Sequence, residues 1–198
     1  MYSSSKKPLR ISFNAPVTLT FAALCVIARI IDMLTGGKAN VLVFSVYSAP
    51  LSDPLTFVRC VCHVLGHASW GHLIGNMMYI LLLGPMIEEK YGPKNTAVVI
   101  LTTAVVTGAV NMLLFPRTML LGASGVVFAF ILISSITVRE NRTIPVTFIL
   151  VALLYLGQQV YEGITVKDNV SQMTHIAGGA VGSVLGFVLG KKKKKDTF

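Results

Sequence analysis

The sequence predicts an all-α polytopic membrane protein, a bundle of six transmembrane helices with both termini in the cytoplasm. Hydrophobic residues make up 54% of the 198 residues, and the mean hydropathy is +0.72. Charged residues make up only 13%, whereas soluble domains contain about 25%. The apolar residues fall in six runs, each near the ~20 residues that a helix needs to cross a bilayer. These observations exclude a soluble globular domain and a disordered chain, and three cysteines are too few for a disulfide scaffold.

The apolar runs are predicted as helices because lipid offers the backbone no hydrogen-bond partners. The runs also lack the alternation that is typical of membrane β-barrels. The first run is too long for the apolar core of a signal peptide, so we expect a retained helix. In chain order the predicted spans are Ala15–Leu34, Cys62–Ile87, Thr96–Phe115, Gly122–Val138, Ile144–Tyr161 and Met173–Gly190.

The basic residues predict the orientation of the chain. With the N-terminus inside, 12 of the 17 lysines and arginines lie in cytoplasmic segments, which satisfies the positive-inside rule. We expect a cytoplasmic tail over residues 1–14, a six-helix domain over residues 15–190 and a lysine-rich cytoplasmic tail over residues 191–198. The lysines suit contact with anionic lipids, and no nucleic-acid-binding module accompanies them. Membrane lipids are therefore expected partners, and nucleic acid is not.

A long outer segment, about Thr35–Val61, connects the first two spans. It contains apolar residues throughout, among them Val46 and Leu51. Because such a segment is too apolar for free solution, we expect it to pack back on the bundle or to dip into the membrane interface.

Polar residues at membrane depth indicate function in such a protein. His72 and Asn76 are four residues apart in the second run and therefore share one helix face. The pair suits either an interhelical hydrogen bond or the stabilisation of developing negative charge. With His63 and His67, three of the four histidines cluster at the predicted start of this span.

The fourth run opens with Gly122, Ser124 and Gly125. Flanking glycines leave room for a substrate, and free N–H groups at a helix N-terminus favour an anion. The same small residues also suit close packing of membrane helices. The second glycine comes too early for the Gly-x-Ser-x-Gly elbow of soluble hydrolases.

The sixth run contains His175, followed by Gly178 and Gly182. Small residues four apart let this helix touch a neighbour closely, which would bring His175 near that neighbour's side chains. Alone, the histidine is equally consistent with a structural role.

Together these signals predict a hydrolase. Ser124 would be the nucleophile, and His175 the general base and then the general acid. His72, Asn76 and backbone N–H groups near Ser124 would stabilise the oxyanion. No acidic residue lies within the predicted sixth span to orient His175, so we expect a Ser-His dyad that needs no cofactor and no metal.

This constellation resembles the rhomboid family of intramembrane serine proteases, from about Arg59 to Gly182. The matching motifs are His72-x-x-x-Asn76, Gly122-x-Ser124-Gly125 and His175-x-x-Gly178-x-x-x-Gly182. The resemblance implies a serine endopeptidase that cleaves transmembrane protein substrates near the outer membrane face. The compact six-span core is similar to that of prokaryotic members, which implies a prokaryotic cell membrane.

The resemblance also implies supporting residues. Arg59 would help to hold the outer loop, and His67 would join the hydrogen-bond network of the active site. Glu88 matches an acidic residue at the cytoplasmic end of the second helix. The remaining supporting residues are Gly122, Gly125, Phe128, Gly178 and Gly182.

Three positions depart from the family pattern, and none of them removes a catalytic group. Val58 and Thr174 replace residues that are commonly aromatic and alanine, respectively. Phe128 replaces a tyrosine that packs on the catalytic histidine; it keeps the stacking surface and loses the hydroxyl.

Three alternatives stay open. His63 and His67, with His72 or His175, would form a zinc site, although the chain has no His-Glu-x-x-His motif. A transporter would also carry intramembrane polar residues, but the runs show neither broken helix pairs nor buried carboxylates. A non-catalytic rhomboid-like binder or chaperone of membrane helices would not depend on Ser124. The sequence assigns no role to Cys25, Cys60 and Cys62.

Overall fold

The chain forms an all-helical bundle. The computed structural model describes residues 13–137, 146, 149–150, 153–154, 157 and 169–192. Over these residues it contains no β-strand, only an isolated antiparallel bridge between Val46 and Leu120. The described helices are α1 (Pro16–Leu34), α2 (Lys38–Leu42), α3 (Pro54–Cys62), a 3₁₀ turn (His63–Leu65), α4 (Trp70–Tyr91), α5 (Pro93–Leu114), α6 (Ser124–Thr137) and α7 (Asn169–Lys192). Most of the fifth predicted span, Ile144–Tyr161, and most of the two predicted tails lie outside the described residues.

The predicted start of the second span is wrong. Residues 62–69 end α3, form the 3₁₀ turn and continue as a loop, so that α4 begins only at Trp70. Ser69 is the N-cap residue of α4, and its hydroxyl accepts a hydrogen bond from the backbone N–H of His72 at 3.1 Å. His63 and His67 therefore precede the second long helix, and only His72 lies on it.

Helices α1, α4 and α5 are long and apolar enough to cross a bilayer. Each exposes large apolar side chains, for example Ile27, Leu82 and Leu101, as lipid-facing surfaces do. The described part of α6 has 14 residues, which span about 21 Å. No residue from 124 to 135 is exposed, so α6 lies at the centre of the bundle.

The outer segment packs back on the bundle, one of the two expected arrangements. Val46 is fully buried and exchanges two backbone hydrogen bonds of 2.9 Å with Leu120, which lies in the return from α5 to α6. Asn111 of α5 donates from Nδ2 to the carbonyls of Val46 (3.1 Å) and Thr118 (3.3 Å). These bonds hold the return inside the protein, and α6 begins there, after the fully buried Ala123.

Among the residues that the structure describes, two carboxylates are buried, contrary to the expectation from the apolar runs: Asp32 and Glu88 are each 3% exposed. Each is satisfied within the protein. Asp32 pairs with Arg29 at 2.9 Å. Glu88 accepts hydrogen bonds from the backbone N–H groups of Val17 and Thr18 and from the Thr18 hydroxyl, at 2.8–2.9 Å. Glu88 of α4 thus caps the N-terminus of α1, whose first N–H groups have no partner within the helix.

Helices α6 and α7 touch backbone to backbone. A Cβ atom on Gly178 would overlap the carbonyl oxygen of Gly125 and lie 2.9 Å from its Cα, and a Cβ on Gly182 would overlap Ala129 in the same way. On its other side, a Cβ on Gly125 would lie 3.1 Å from Thr107 of α5. Small residues at these positions therefore set the distances between the three helices.

The glycine contact predicts a selective loss of stability. Gly178→Ala and Gly182→Ala should each lower the free energy of unfolding by about 1–3 kcal/mol, because the added methyl overpacks a backbone contact. Gly75→Ala on α4 is the matched control, since a Cβ there meets nothing within 4 Å. Thermal unfolding in detergent micelles measures the effect. Equal melting temperatures for all three variants would show that α6 and α7 are not in backbone contact.

The capping of α1 by Glu88 predicts a second selective loss of stability. Glu88→Gln should lower the melting temperature, because the neutral amide interacts less favourably with the N-terminus of α1 and brings an N–H₂ group toward N–H donors. The adjacent and exposed Glu89 gives the control, Glu89→Gln, which should leave the melting temperature unchanged. A Glu88→Gln protein as stable as wild type would contradict the cap.

Candidate active site

Ser124 and His175, the predicted nucleophile and base, are in direct contact. The Ser124 Oγ lies 2.9 Å from Nε2 of His175, although 51 residues separate them. Ser124 is the first residue of α6, and His175 lies in α7 one turn before Gly178. The backbone contact at Gly178 brings the two helices close enough for this hydrogen bond. The geometry suits transfer of the hydroxyl proton to an unprotonated Nε2.

Phe128 holds the ring of His175 from the side of α6. Its ring centroid lies 4.5 Å from that of the imidazole, with the planes tilted by 49°. Phe128 is one helical turn after Ser124 and therefore shares its face of α6. The phenylalanine ring thus contacts the imidazole in a tilted arrangement, without a tyrosine hydroxyl.

His72 and Asn76 face the backbone just before Ser124. A Cβ on Gly122 would lie 2.9 Å from Nε2 of His72 and 3.9 Å from Nδ2 of Asn76. Gly122 also has φ +128°, a conformation that side chains rarely allow. Its N–H donates to the His63 carbonyl at 2.9 Å, which holds this strained turn in place. A glycine at position 122 therefore lets these two side chains approach the backbone two residues before Ser124.

The start of α6 adds backbone donors to the same place. The first bond within the helix runs from the Val127 N–H to the Ala123 carbonyl. The N–H groups of Ser124 and Gly125 belong to the first turn, where no acceptor exists within the helix. They lie beside the serine hydroxyl and favour negative charge there.

His67 orients the amide of Asn76. Its Nδ1 lies 3.0 Å from the Leu65 carbonyl and must donate to it, because a carbonyl only accepts. Burial above all, and the nearby His72 and Arg29, lower the pKa of His67 to about 4, so the ring is neutral at pH 7. Its Nε2 then accepts from Nδ2 of Asn76 at 3.0 Å, which leaves the second N–H of that amide for another acceptor.

Arg59, which the resemblance expects to hold the outer loop, contacts three residues of the outer segment. It is 5% exposed and donates from Nε to the Leu42 carbonyl at 3.0 Å. Its Nη1 pairs with Asp53 at 3.1 Å, and its guanidinium carbon lies 4.8 Å from the centre of the Tyr47 ring. Arg59 of α3 therefore bonds both ends of the stretch from Leu42 to Asp53.

Two of the histidines in the alternative zinc site, His63 and His67, form hydrogen bonds within the protein. His63 is 1% exposed and donates from Nε2 to the Ala104 carbonyl at 3.0 Å. His67 is engaged by Leu65 and Asn76. In the part of the chain that the structure describes, no three His, Cys, Asp or Glu side chains are grouped as metal ligands.

The sequence interpretation missed two polar residues near the site. Asn111 is fully buried in α5 and ties the outer segment to the return that leads to Gly122. Asp32 is buried near the end of α1. Both are polar residues within long apolar runs. The same pattern predicted a functional role for Asn76, and it would also have singled out Asn111 and Asp32.

Comparison with known proteins places these features in a family. Residues 54–192, more than two thirds of the chain, match the Rhomboid domain. The chain is 26% identical over 186 residues to rhomboid protease GlpG of Haemophilus influenzae, covering 91% of this chain and 94% of that protein. It is 25% identical over 176 residues to GlpG of Yersinia pestis, covering 87% and 62%.

The chain is also similar to two plant proteins. It is 28% identical over 139 residues to the chloroplastic Rhomboid-like protein 11 of Arabidopsis thaliana, which covers 63% of this chain. The match spans 50% of that protein, so the chain corresponds to about half of its length. With RHOMBOID-like protein 4 of the same plant it shares 31% identity over 130 residues, 62% of this chain and 32% of that protein. Together with the bilayer-length helices, the Rhomboid domain match makes the chain an integral membrane protein that belongs to the Rhomboid family.

Proposed function

We propose that the protein is an intramembrane serine endopeptidase that cleaves transmembrane protein substrates near the outer membrane face. The observation that carries the proposal is the 2.9 Å contact between Ser124 Oγ and His175 Nε2, on two helices in backbone contact. The similarity to proteins named rhomboid protease supports the same reaction.

The reaction divides into two steps, acylation of Ser124 and hydrolysis of the acyl-enzyme, and His175 transfers protons in both. Nε2 of His175 takes the hydroxyl proton while Oγ of Ser124 bonds to the scissile carbonyl carbon. The tetrahedral intermediate then breaks its C–N bond, and the imidazolium gives the proton to the leaving amine. In the second step, the oxygen of a water molecule bonds to the acyl carbon while Nε2 of His175 takes a proton from that water. The bond between the acyl carbon and Ser124 Oγ then breaks, and the imidazolium returns the proton to Oγ, which releases the new carboxyl end and restores both side chains.

Negative charge on the former carbonyl oxygen develops beside Gly122. His72, with its proton on Nε2, the second N–H of Asn76 and the N–H of Ser124 would donate to that oxygen. The donors are held in advance: Asn76 by His67, and the backbone by the turn at Gly122. Donors placed before the reaction need no reorganisation during it, which is why they lower the barrier.

The substrate must present an extended backbone, because a helix hides its carbonyls in internal hydrogen bonds. Small or helix-breaking residues near the scissile bond would lower the cost of unwinding. Hydrolysis also needs water, so the site must open to one aqueous side. In the proposed topology, the segment 35–53 and the histidine loop, residues 66–69, belong to the outer side.

That topology has six spans and both termini in the cytoplasm. It places residues 1–14 and the lysine-rich residues 191–198 inside, next to anionic lipid, and assigns residues 15–190 to one protease domain. Twelve of the 17 basic residues then lie on the cytoplasmic side. A prokaryotic cell membrane suits this compact arrangement.

The dyad predicts complete dependence on two side chains. Ser124→Ala and His175→Ala should each reduce cleavage of a model transmembrane substrate in liposomes by about 10³-fold or more, because either change removes a bond-forming or proton-transferring group. Ser135→Ala is the control on the same helix, since its hydroxyl donates to the Ile131 carbonyl of α6 and lies about three turns from Ser124. Product formation is measured by gel shift, with and without a chelator.

Cleavage that survives Ser124→Ala would contradict the serine mechanism. Loss of cleavage on chelation, with Ser124→Ala still active, would indicate a metal site instead. Binding of the substrate without cleavage by wild type would favour the non-catalytic binder.

The oxyanion donors predict a loss of rate without a loss of fold. His72→Ala and Asn76→Ala should each lower kcat by about 10²–10³-fold while the protein stays folded, because each removes one donor to the developing charge. Turnover and melting temperature are measured on the same preparations. Two variants that unfold instead would show that the pair only holds the bundle together.

A further inference from the structure

A line of side chains connects the end of α1 to the proposed oxyanion donors. Asp32 is 3% exposed and uses both carboxylate oxygens. Oδ2 accepts from Nη1 of Arg29 at 2.9 Å, and Oδ1 accepts from the backbone N–H of Asn40 at 2.9 Å. A buried carboxylate is costly unless it is both paired and hydrogen-bonded, so these two contacts fix its position.

Asp32 thereby fixes the short helix α2. The N-cap residue, Gly37, has no side chain to cap it. Two side chains from the end of α1 replace that cap: Thr35 Oγ1 accepts from the Ala39 N–H at 3.1 Å, and Asp32 accepts from Asn40. A five-residue helix is not stable alone, so α2 depends on these bonds and on its packing.

In turn, α2 holds the histidine loop, residues 66–69. Nδ2 of Asn40 donates to the His67 carbonyl at 3.2 Å. Just after α2, the backbone of Phe44 lies so close to Gly66 that a Cβ there would overlap its carbonyl oxygen. Two successive residues of the loop are therefore clamped from the same side, although the loop has no regular secondary structure of its own.

The loop carries the imidazole that orients Asn76. Nδ1 of His67 donates to Leu65 and Nε2 accepts from Asn76 Nδ2, so the ring has one orientation only if its backbone is fixed. In the described structure, the side chain of Asn40 donates a hydrogen bond to the backbone carbonyl of His67. A shift of the His67 backbone would move the Asn76 amide relative to Gly122.

We propose that Asn40, held by the Arg29–Asp32 ion pair, is a positioning residue for the Asn76 amide and thus for the oxyanion site. The proposal rests on the proposed protease function. The residues act in the order Arg29, Asp32, Asn40, His67 and Asn76. Asn40 touches neither the substrate nor the reacting atoms, and its effect passes through the loop.

The test begins with kinetics in liposomes. Asn40→Ala should lower kcat by about tenfold or more with KM unchanged, because misplacement of a catalytic group by about 1 Å can cost about 10²-fold. In an Asn76→Ala background, Asn40→Ala should cause no further fall, since the group it positions is already gone. Asn95→Ala is the matched control: its amide also donates to a backbone carbonyl, that of Tyr91, and it should leave kcat unchanged. Asn40→Leu, which keeps the number and branching of the side-chain heavy atoms but cannot hydrogen-bond, replaces Asn40→Ala if the latter unfolds.

A second readout does not depend on cleavage. The chain has four histidines, so ¹⁵N-histidine NMR in detergent micelles gives few ring signals. Asn40→Ala should shift the His67 ring nitrogens and leave those of His63 in place, and Asn95→Ala should shift neither. The proposal would be overturned if Asn40→Ala left the His67 signals unchanged or left kcat unchanged. It would also be overturned if Asn40→Ala lowered kcat further in the Asn76→Ala background. Absence of Ser124-dependent cleavage in wild type, with the His67 signals still shifted, would overturn the protease function and with it the catalytic meaning of Asn40.

Discussion

The backbone contact between α6 and α7 is the constraint on which the candidate site depends. Ser124 and His175 stand on different helices, and their 2.9 Å contact requires an interhelical distance that only glycine permits. Gly178 meets Gly125, the residue after the serine, so one of the two backbone contacts between the helices lies next to Ser124. The same small residues that allow tight packing in lipid thus bring together the two side chains of the proposed dyad.

A second constraint lies on the other side of Ser124. The helix α6 starts inside the protein because Val46, Asn111 and the His63 carbonyl hold the return segment before it. The outer segment is therefore part of the site's framework, although none of its side chains takes part in the proposed reaction. Arg59 and Glu88 stabilise this framework at its two ends, one through the outer loop and the other through the cap on α1.

The amino-acid sequence predicts the long helices and the dyad for related reasons. Apolar length identifies α1, α5, α6 and α7 to within a few residues, and a polar group placed in such a run identifies Ser124 and His175. Apolar length wrongly assigns residues 62–69 to the second membrane span, because residues buried inside a protein and residues facing lipid are equally apolar. The roles of Asp32 and Asn40 were not predictable, since Asn40 and His67 are 27 residues apart and meet only through tertiary packing.

The central claim is that the Ser124 hydroxyl is activated by His175. Reaction of the full-length protein in liposomes with a fluorophosphonate tests it most directly, because an activated serine displaces fluoride and forms a stable phosphorus–oxygen bond. Peptide mass spectrometry should find the label on Ser124 alone, and the label should disappear in His175→Ala. Labelling of another residue, or equal labelling of Ser124 without His175, would contradict the account.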